Sequence, residues 1–254
     1  MRFFRKGPRA AFSALVAIAI ALTVAGIASA AQFNLNITRI HLGASHPVET
    51  VVLTNNEDLP LALEVHVKRW RMDADGQWQL TPDDGLVVHP LILQIAPGAE
   101  GRVRIGSLSP DTKTEVAYRV ELQELPGHAE AMAGHIRMLA KISVPVFVQP
   151  ANAKAAVGVS VSKLDTHGAT LLFRNTGTGY AAPNGGKAIV RDAAGKVLKE
   201  ANIEVPYLLA GAQAPVVVNL PASACAHAAK VELQLLENQV LKTDVPAGLA
   251  ACAR

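Results

Sequence analysis

Residues with catalytic or metal-binding chemistry are scattered along this chain of 254 residues. Asp73 and Asp75 in DADGQW resemble half a calcium loop, but the later ligands are missing and a hairpin turn explains them better. His41 and His46 are close enough in sequence to keep a metal site open as an alternative. The other histidines show no HxH, HExxH or Cys/His spacing; they are His66, His89, His128, His135, His167 and His227.

A glycine-rich stretch, GTGYAA at 177–182, matches the pattern GxGxxA. A phosphate site of this type needs the N-terminus of a helix, and the residues that follow, Pro183 to Gly186, cannot begin one. The sequence contains no GxSxG elbow or SxxK motif for a nucleophilic serine. We therefore predict that the protein is not an enzyme and uses no cofactor or bound metal. The alternative to this prediction is a small-ligand or metal-binding periplasmic enzyme. Such an enzyme would need convergent polar groups that the sequence does not supply.

The two cysteines, Cys225 and Cys252, flank a predicted hairpin formed by 231–236 and 240–245. Their midpoint falls in its turn, so pairing of the two strands would bring both sulfur atoms to the same open end. An even number of cysteines in an exported chain favours a structural disulfide over free thiols. Redox catalysis is not expected because there is no CxxC motif.

Residues 1–30 have the pattern of a signal peptide: a basic head, an apolar run and a small-residue site at 28–30. A membrane anchor is the alternative, but polar residues break the run and no basic stop follows it. Removal of the leader takes away 4 of the 24 basic residues and leaves 20 against 21 acidic ones. The exported chain would then be nearly neutral, so we expect neither nucleic-acid binding nor stable membrane insertion.

Alternating apolar and polar residues dominate the exported part, as in Val116 to Gln123 and Val157 to Ser162. Turn signals such as NNED, DADG and NGG recur between these runs, which is typical of antiparallel β-sandwiches. The fold class is therefore all-β. A change in composition near 149–156 divides the chain into one unit at 31–150 and another at 151–254.

Several segments together resemble the PapD-like periplasmic pilus chaperones. ITRIHLGASHPVETVVLTNNEDLPLALEVHVKRW is similar to the first three strands of that family, and LVVHPLILQIAPGAEGRVRIG to its next strands and Pro-Gly turn. VAYRVELQELPG and HIRMLAKISVPVFVQP resemble the last two strands of its first domain. The second half is less similar, with only RNTGTGYAAPN and VPYLLAGAQ matching.

The resemblance implies two immunoglobulin-like sandwiches in a boomerang arrangement and a periplasmic role in fibre assembly. Partners would be pilin subunits that lack their last strand and an outer-membrane usher. The segment at 135–150 would then lend a strand, because alternate apolar side chains can enter the subunit's groove while the backbone pairs with it. These donor residues are Ile136, Met138, Ala140, Ile142 and Val144. The alternative from the residues alone is an ordinary core strand.

The family anchors the subunit's terminal carboxylate with two basic residues in the cleft. Arg39 follows Thr38 as the family's arginine does, and a guanidinium can bind a carboxylate through two hydrogen bonds. A solvated strand arginine is the alternative. The family's lysine aligns with Pro145, so Lys141 is a candidate substitute, although it lies about 13 Å away along an ideal strand.

Gln149 stands where many family members have an arginine that helps to fix the interdomain angle. Together with Pro145, it indicates a divergent branch of the family, one that serves other fibres than its best-known members do. The rival from another class is an exported structural or adhesive immunoglobulin-like protein without a donor strand.

Overall fold

The computed structural model describes residues 33–126, 138–165, 167–235 and 239–251. For residues 250 and 251 it describes the backbone alone. Its first part, up to Val148, has ten strands. They are β1 (Phe33–Leu35), β2 (Ile40–Leu42), β3 (Val48–Asn55), β4 (Leu61–Met72), β5 (Trp78–Pro82), β6 (Leu86–His89), β7 (Ile92–Ile95), β8 (Glu100–Ser107), β9 (Val116–Glu124) and β10 (Lys141–Val148).

These ten strands form two facing sheets. One has the order β1-β3-β8-β6, and the other has the order β2-β10-β9-β4-β5, with β7 also pairing with β4. In β8, Gly101, Val103 and Ile105 face inward while the residues between them are exposed, which is the period-two pattern of a half-buried strand. Buried side chains from both sheets, including Leu53 and Val146, form one core.

The second part begins at Val157 and has eight strands and one short helix. They are β11 (Val157–Asp165), β12 (Gly168–Asn175), β13 (Gly186–Arg191), β14 (Val197–Ile203), β15 (Gln213–Val218), α1 (Ala222–Cys225), β16 (Lys230–Leu235), β17 (Val240–Asp244) and β18 (Ala250–Ala251). Its sheets have the orders β15-β12-β11-β18 and β14-β13-β16-β17 and enclose a separate core. The predicted all-β fold of two immunoglobulin-like sandwiches is confirmed, and so is the predicted pairing of β16 with β17.

The turn between β4 and β5 packs against the second sandwich. Gly76 has a φ of +76°, and a Cβ atom there would lie 2.7 Å from the Cβ of Ala214 in β15. Gln213 donates a side-chain hydrogen bond of 3.1 Å to the carbonyl of Ala74. Met72, at the end of β4, packs against the core of the second sandwich. A glycine is therefore required here both by its backbone conformation and by the close approach.

Candidate functional site

The predicted donor segment runs into β10, whose two edges are not equally covered. On one edge β10 pairs with β9 along its whole length, from Lys141 to Val148. On the other edge β2 pairs only with Val146, Phe147 and Val148. Among the described residues, no strand pairs with this outer edge between Lys141 and Pro145. Within the described part of the chain, the first half of β10 therefore lies at the edge of its sheet.

The direction of the backbone groups follows from one hydrogen bond. Glu124 donates its N–H to the carbonyl of Ala140 at 2.9 Å. Hydrogen-bonded and non-hydrogen-bonded pairs alternate along an antiparallel ladder, so Ile142 and Val144 also direct their backbone groups toward β9. Lys141 and Ser143 direct theirs toward the uncovered edge.

The side chains of the predicted donor residues divide at Ile142. Met138 is 53% exposed and Ala140 is half-buried. Ile142 is half-buried and packs against the core of the first sandwich. Val144 is only 2% exposed and belongs to that core, so its burial does not favour the predicted donor role. Ile136 lies outside the described residues.

Arg39 lies at the junction of the two sandwiches, just before β2. Its Nη2 donates a hydrogen bond of 2.7 Å to the hydroxyl of Tyr207. Its guanidinium carbon lies 5.4 Å from the ring centroid of Tyr180 and 5.6 Å from that of Tyr207, which is within cation–π distance. Burial lowers the pKa of Arg39, but the hydrogen bond to Tyr207 and the two nearby phenols outweigh it, so the net shift is upward.

A cleft of about 300 Å³ opens beside Arg39 and is otherwise lined mainly by the second sandwich, including Tyr180, Pro183 and Gln239. The Nε of Arg39 is buried and has no hydrogen-bond partner, and no described carboxylate forms an ion pair with this guanidinium. Arg39 thus presents uncompensated positive charge next to a cleft, as a carboxylate-binding residue requires.

Lys141 does not join Arg39. Its Nζ lies 2.9 Å from Oε2 of Glu121, which also binds the Nζ of Lys68 at 2.9 Å. Although burial alone raises the pKa of Glu121, the hydrogen bonds and charges of these two lysines lower it overall. The structure therefore gives Lys141 an ion pair within its own sheet, away from the predicted anchor.

Aromatic side chains form the contact between the two sandwiches. The ring centroids of Phe147 and Tyr180 lie 3.9 Å apart, and the ring of Tyr207 packs edge-on against Trp70 at 5.4 Å. The backbone beside the two tyrosines is held by Asn175, whose side chain donates 2.7 Å and 3.0 Å hydrogen bonds to the carbonyls of Gly179 and Leu208. Tyr180 and Tyr207 were not predicted as functional residues, although both lie in the segments that resemble the family.

Comparison with known proteins gives a family match for the first sandwich. Residues 32–154 match the family model of the pili and flagellar-assembly chaperones, PapD N-terminal domain. The first sandwich, residues 32–154, belongs to the PapD-like chaperones. This family is one of assembly chaperones and not of enzymes. No curated protein matches its sequence.

Solved structures share the fold of this chaperone over nearly their whole length. A chaperone–tip adhesin complex of CFA/I fimbriae gives a TM-score of 0.60 at 15% identity, covering 85% of this chain and 100% of that chain. CsuC–CsuE, from archaic Csu pili of Acinetobacter baumannii, gives 0.58 at 15% identity, covering 84% and 98%. SafB with the SafA pilin of Salmonella enterica gives 0.54 at 15% identity, covering 85% and 98%. At these identities the likeness shows the fold.

Gln149 takes part in a hydrogen-bond network at the contact between the two sandwiches. Its Nε2 donates a hydrogen bond of 2.6 Å to Oε2 of Glu115, and its Oε1 lies 3.0 Å from Nδ1 of His41. The same Glu115 oxygen accepts the backbone N–H of Tyr180 at 3.0 Å. Burial raises the pKa of Glu115, while these hydrogen bonds act in the opposite direction. Hydrogen bonds of Gln149 and Glu115 therefore contribute to the contact between the two sandwiches.

The remaining predicted positions carry structural roles or lie outside the description. The Sγ of Cys225 is buried 3.2 Å from the carbonyl oxygen of Asp165, while Cys252 and the leader 1–30 lie outside the described residues. Nδ1 of His46 contacts Ser45 and not His41. In the described ranges no three His, Cys, Asp or Glu side chains form a metal site, and no helix there is long and apolar enough to span a bilayer.

Proposed function

We propose that this protein is a periplasmic chaperone that caps pilin or fimbrial subunits by lending them a strand and then passes them to an outer-membrane usher. The uncovered outer edge of β10 between Lys141 and Pro145, preceded by the exposed Met138, is the observation that carries this proposal. Solved relatives in complex with a tip adhesin subunit and with a pilin support the choice of partner.

An incomplete sandwich exposes an apolar groove and unpaired backbone groups, which favour aggregation. The chaperone supplies apolar side chains for the groove and a backbone edge for the unpaired groups, both on one strand. Backbone groups of Lys141 and Ser143 pair with the subunit, and the side chains that precede β10, Ile136, Met138 and Ala140, enter its groove. Because Val144, Val146 and Val148 are held in the chaperone's own core, the second half of β10 fixes the orientation of the half that is donated.

Arg39 sets the register of the added strand in this proposal. The subunit's terminal carboxylate binds in the cleft beside the guanidinium, and a slip of one residue would turn every donor side chain to the wrong face. Transfer to the usher needs no nucleotide, because the subunit is more stable when another subunit supplies the strand in the fibre. Cleavage of the leader 1–30 places the chaperone in the periplasm, and oxidation there joins Cys225 to Cys252.

Coexpression with a pilin encoded beside the chaperone tests this function. We expect a soluble one-to-one complex, at least tenfold weaker with Met138→Asp and with Arg39→Ala, since each removes a buried contact of the complex. Val217→Asp is the matched control, because Val217 is 59% exposed on β15 of the second sandwich. Equal recovery of the subunit with all three variants would instead support a structural or adhesive protein without chaperone activity.

A further inference from the structure

The register of the second sheet places an arginine directly opposite the proline that stands where the family has a lysine. Pro145 in β10 pairs with Arg119 in β9, and Arg39 lies level with Pro145 because the next residue, Ile40, pairs with Val146. Residues that face each other across neighbouring strands point to the same side of the sheet. Arg39 and Arg119 therefore flank Pro145 on the side that faces the second sandwich.

Arg119 is a buried cation that stacks on two aromatic rings. It is 7% exposed, and its guanidinium carbon lies 4.4 Å from the ring centroids of both Trp70 and Trp78. Burial lowers the pKa of Arg119, and the nearby Tyr207 and Glu121 oppose that shift. The one hydrogen bond that the structure gives its guanidinium goes from Nη1 to the carbonyl of Ser143, at 3.3 Å.

The charge of Arg119 is not neutralised by an ion pair among the described residues. Glu121, the carboxylate next along its strand face, is bound by Lys68 and Lys141 at 2.9 Å each. The Nε of Arg119 is buried without a hydrogen-bond partner. Leaving a buried charge in this state is costly, so the arrangement favours binding of an anion.

The position of Arg119 also connects it to Arg39 and to the donated edge. Tyr207 accepts a hydrogen bond from Arg39 and packs on Trp70, which in turn lies against Arg119. Ser143, whose carbonyl Arg119 binds, directs its backbone groups toward the uncovered edge of β10. A subunit strand that pairs with this edge must donate to that same carbonyl.

We propose that Arg119 is the second carboxylate-binding residue of this chaperone and performs the role that Pro145 cannot. The inference rests on the proposed function, since the ligand is the terminal carboxylate of the bound subunit. In the free chaperone, Nη1 of Arg119 satisfies the Ser143 carbonyl, which protects the open edge. When a subunit binds, its N–H takes over that carbonyl, and Arg119 turns to the carboxylate beside Arg39.

The test compares a subunit that has its natural terminal carboxylate with the same subunit amidated at its C-terminus. For the unaltered chaperone, amidation should raise Kd by about 100-fold, roughly tenfold for each arginine. In Arg119→Gln and in Arg39→Gln, that ratio should fall to about tenfold. Arg69→Gln is the matched control, because Arg69 also stacks on a ring, that of Tyr118, but lies on the opposite face of the sheet; its ratio should stay near 100-fold.

If Arg119 had a purely structural role, Arg119→Gln would weaken binding of both forms of the subunit equally and leave the ratio of their Kd values unchanged. That result would overturn the inference, while the proposed function would stand. If the unaltered chaperone bound both forms equally, carboxylate anchoring itself would be wrong. Should Arg119→Gln fail to fold, Arg119→Lys decides, with an intermediate ratio expected because charge is kept but the planar fork is lost. The double variant Arg119→Gln, Pro145→Lys should regain the ratio.

Discussion

Nη2 of Arg39 donates a hydrogen bond of 2.7 Å to the hydroxyl of Tyr207, which joins two residues 168 positions apart and in different sandwiches. The residue that the sequence identifies as a carboxylate anchor is thus held by the second sandwich. The domain contact and the proposed carboxylate site share this side chain, because the hydrogen bond that orients the guanidinium also links the two sandwiches.

Replacing the Tyr207 hydroxyl should affect both properties. Tyr207→Phe removes the acceptor of Nη2, so we expect a loss of about 0.5–1.5 kcal/mol in the free energy of unfolding and a severalfold weaker complex with the subunit. Tyr118→Phe is the control, since that hydroxyl accepts a 3.1 Å hydrogen bond from Arg69 within one sandwich. Thermal melts and titration calorimetry measure the two effects; a control that weakened the complex equally would contradict the role of Tyr207.

Met138 and Val144 should respond oppositely to truncation, although both were predicted as donor residues. Val144→Ala opens a cavity in the first core and should lower the free energy of unfolding by about 2 kcal/mol, with little change in subunit affinity once the protein is folded. Met138→Ala should leave stability within about 0.5 kcal/mol and weaken the complex. Chemical denaturation and binding titrations of the two variants give both quantities. A large stability loss for Met138→Ala would show that this side chain belongs to the chaperone's own core.

Ionisation of Glu115 should limit stability near neutral pH. Because burial raises its pKa in the folded state, the unfolded chain releases this proton first, and stability falls as pH rises from about 4.3 through the folded-state pKa. Glu115→Gln keeps an oxygen for Gln149 and Tyr180 and removes the charge. We expect the variant to unfold at a higher temperature than the parent at pH 7 and to lose that advantage at pH 4. An advantage of equal size at both pH values would rule out titration of Glu115 as the cause.

The proposed disulfide has support from the end of the chain. Ala251 pairs with Asp165, and the Sγ of Cys225 lies 3.2 Å from the carbonyl oxygen of Asp165. The residue before Cys252 is thus next to the residue that Cys225 contacts. Reduction should lower the free energy of unfolding by about 2–4 kcal/mol. Cys252→Ala should show the same loss and no further change on reduction; an additional effect of the reductant on this variant would exclude the pairing.

The sequence contained enough information to predict the strands and part of the site. Alternation in Val116 to Gln123 and the spacing of the hairpin at 231–245 depend on nearest neighbours, and both were confirmed as paired strands. Arg39 was found because it lies in a segment that resembles the family. The end of the donor segment could not be predicted, because alternation shows that Val144 shares a face with Met138 but not where that face enters the chaperone's own core.

Residues that come together through pairing register or domain contact could not be found in the same way. Arg119 faces Pro145 across two strands that are joined by a long connection, and its alternating strand gave no sign of a binding role. Tyr180 and Tyr207 contact Arg39 only because the second sandwich turns two loops toward the first. Such contacts depend on the packing of whole domains.

Backbone hydrogen exchange along β10 tests strand donation most directly. Amides of Ile142 and Val144 bond to β9 and should be protected in both the free and the subunit-bound chaperone. Amides of Lys141 and Ser143 face the uncovered edge; we predict that they exchange quickly in the free protein and become at least 100-fold slower to exchange in the complex, because the subunit's strand then pairs with them. Unchanged exchange at Lys141 and Ser143 when a subunit is bound would contradict strand donation by β10.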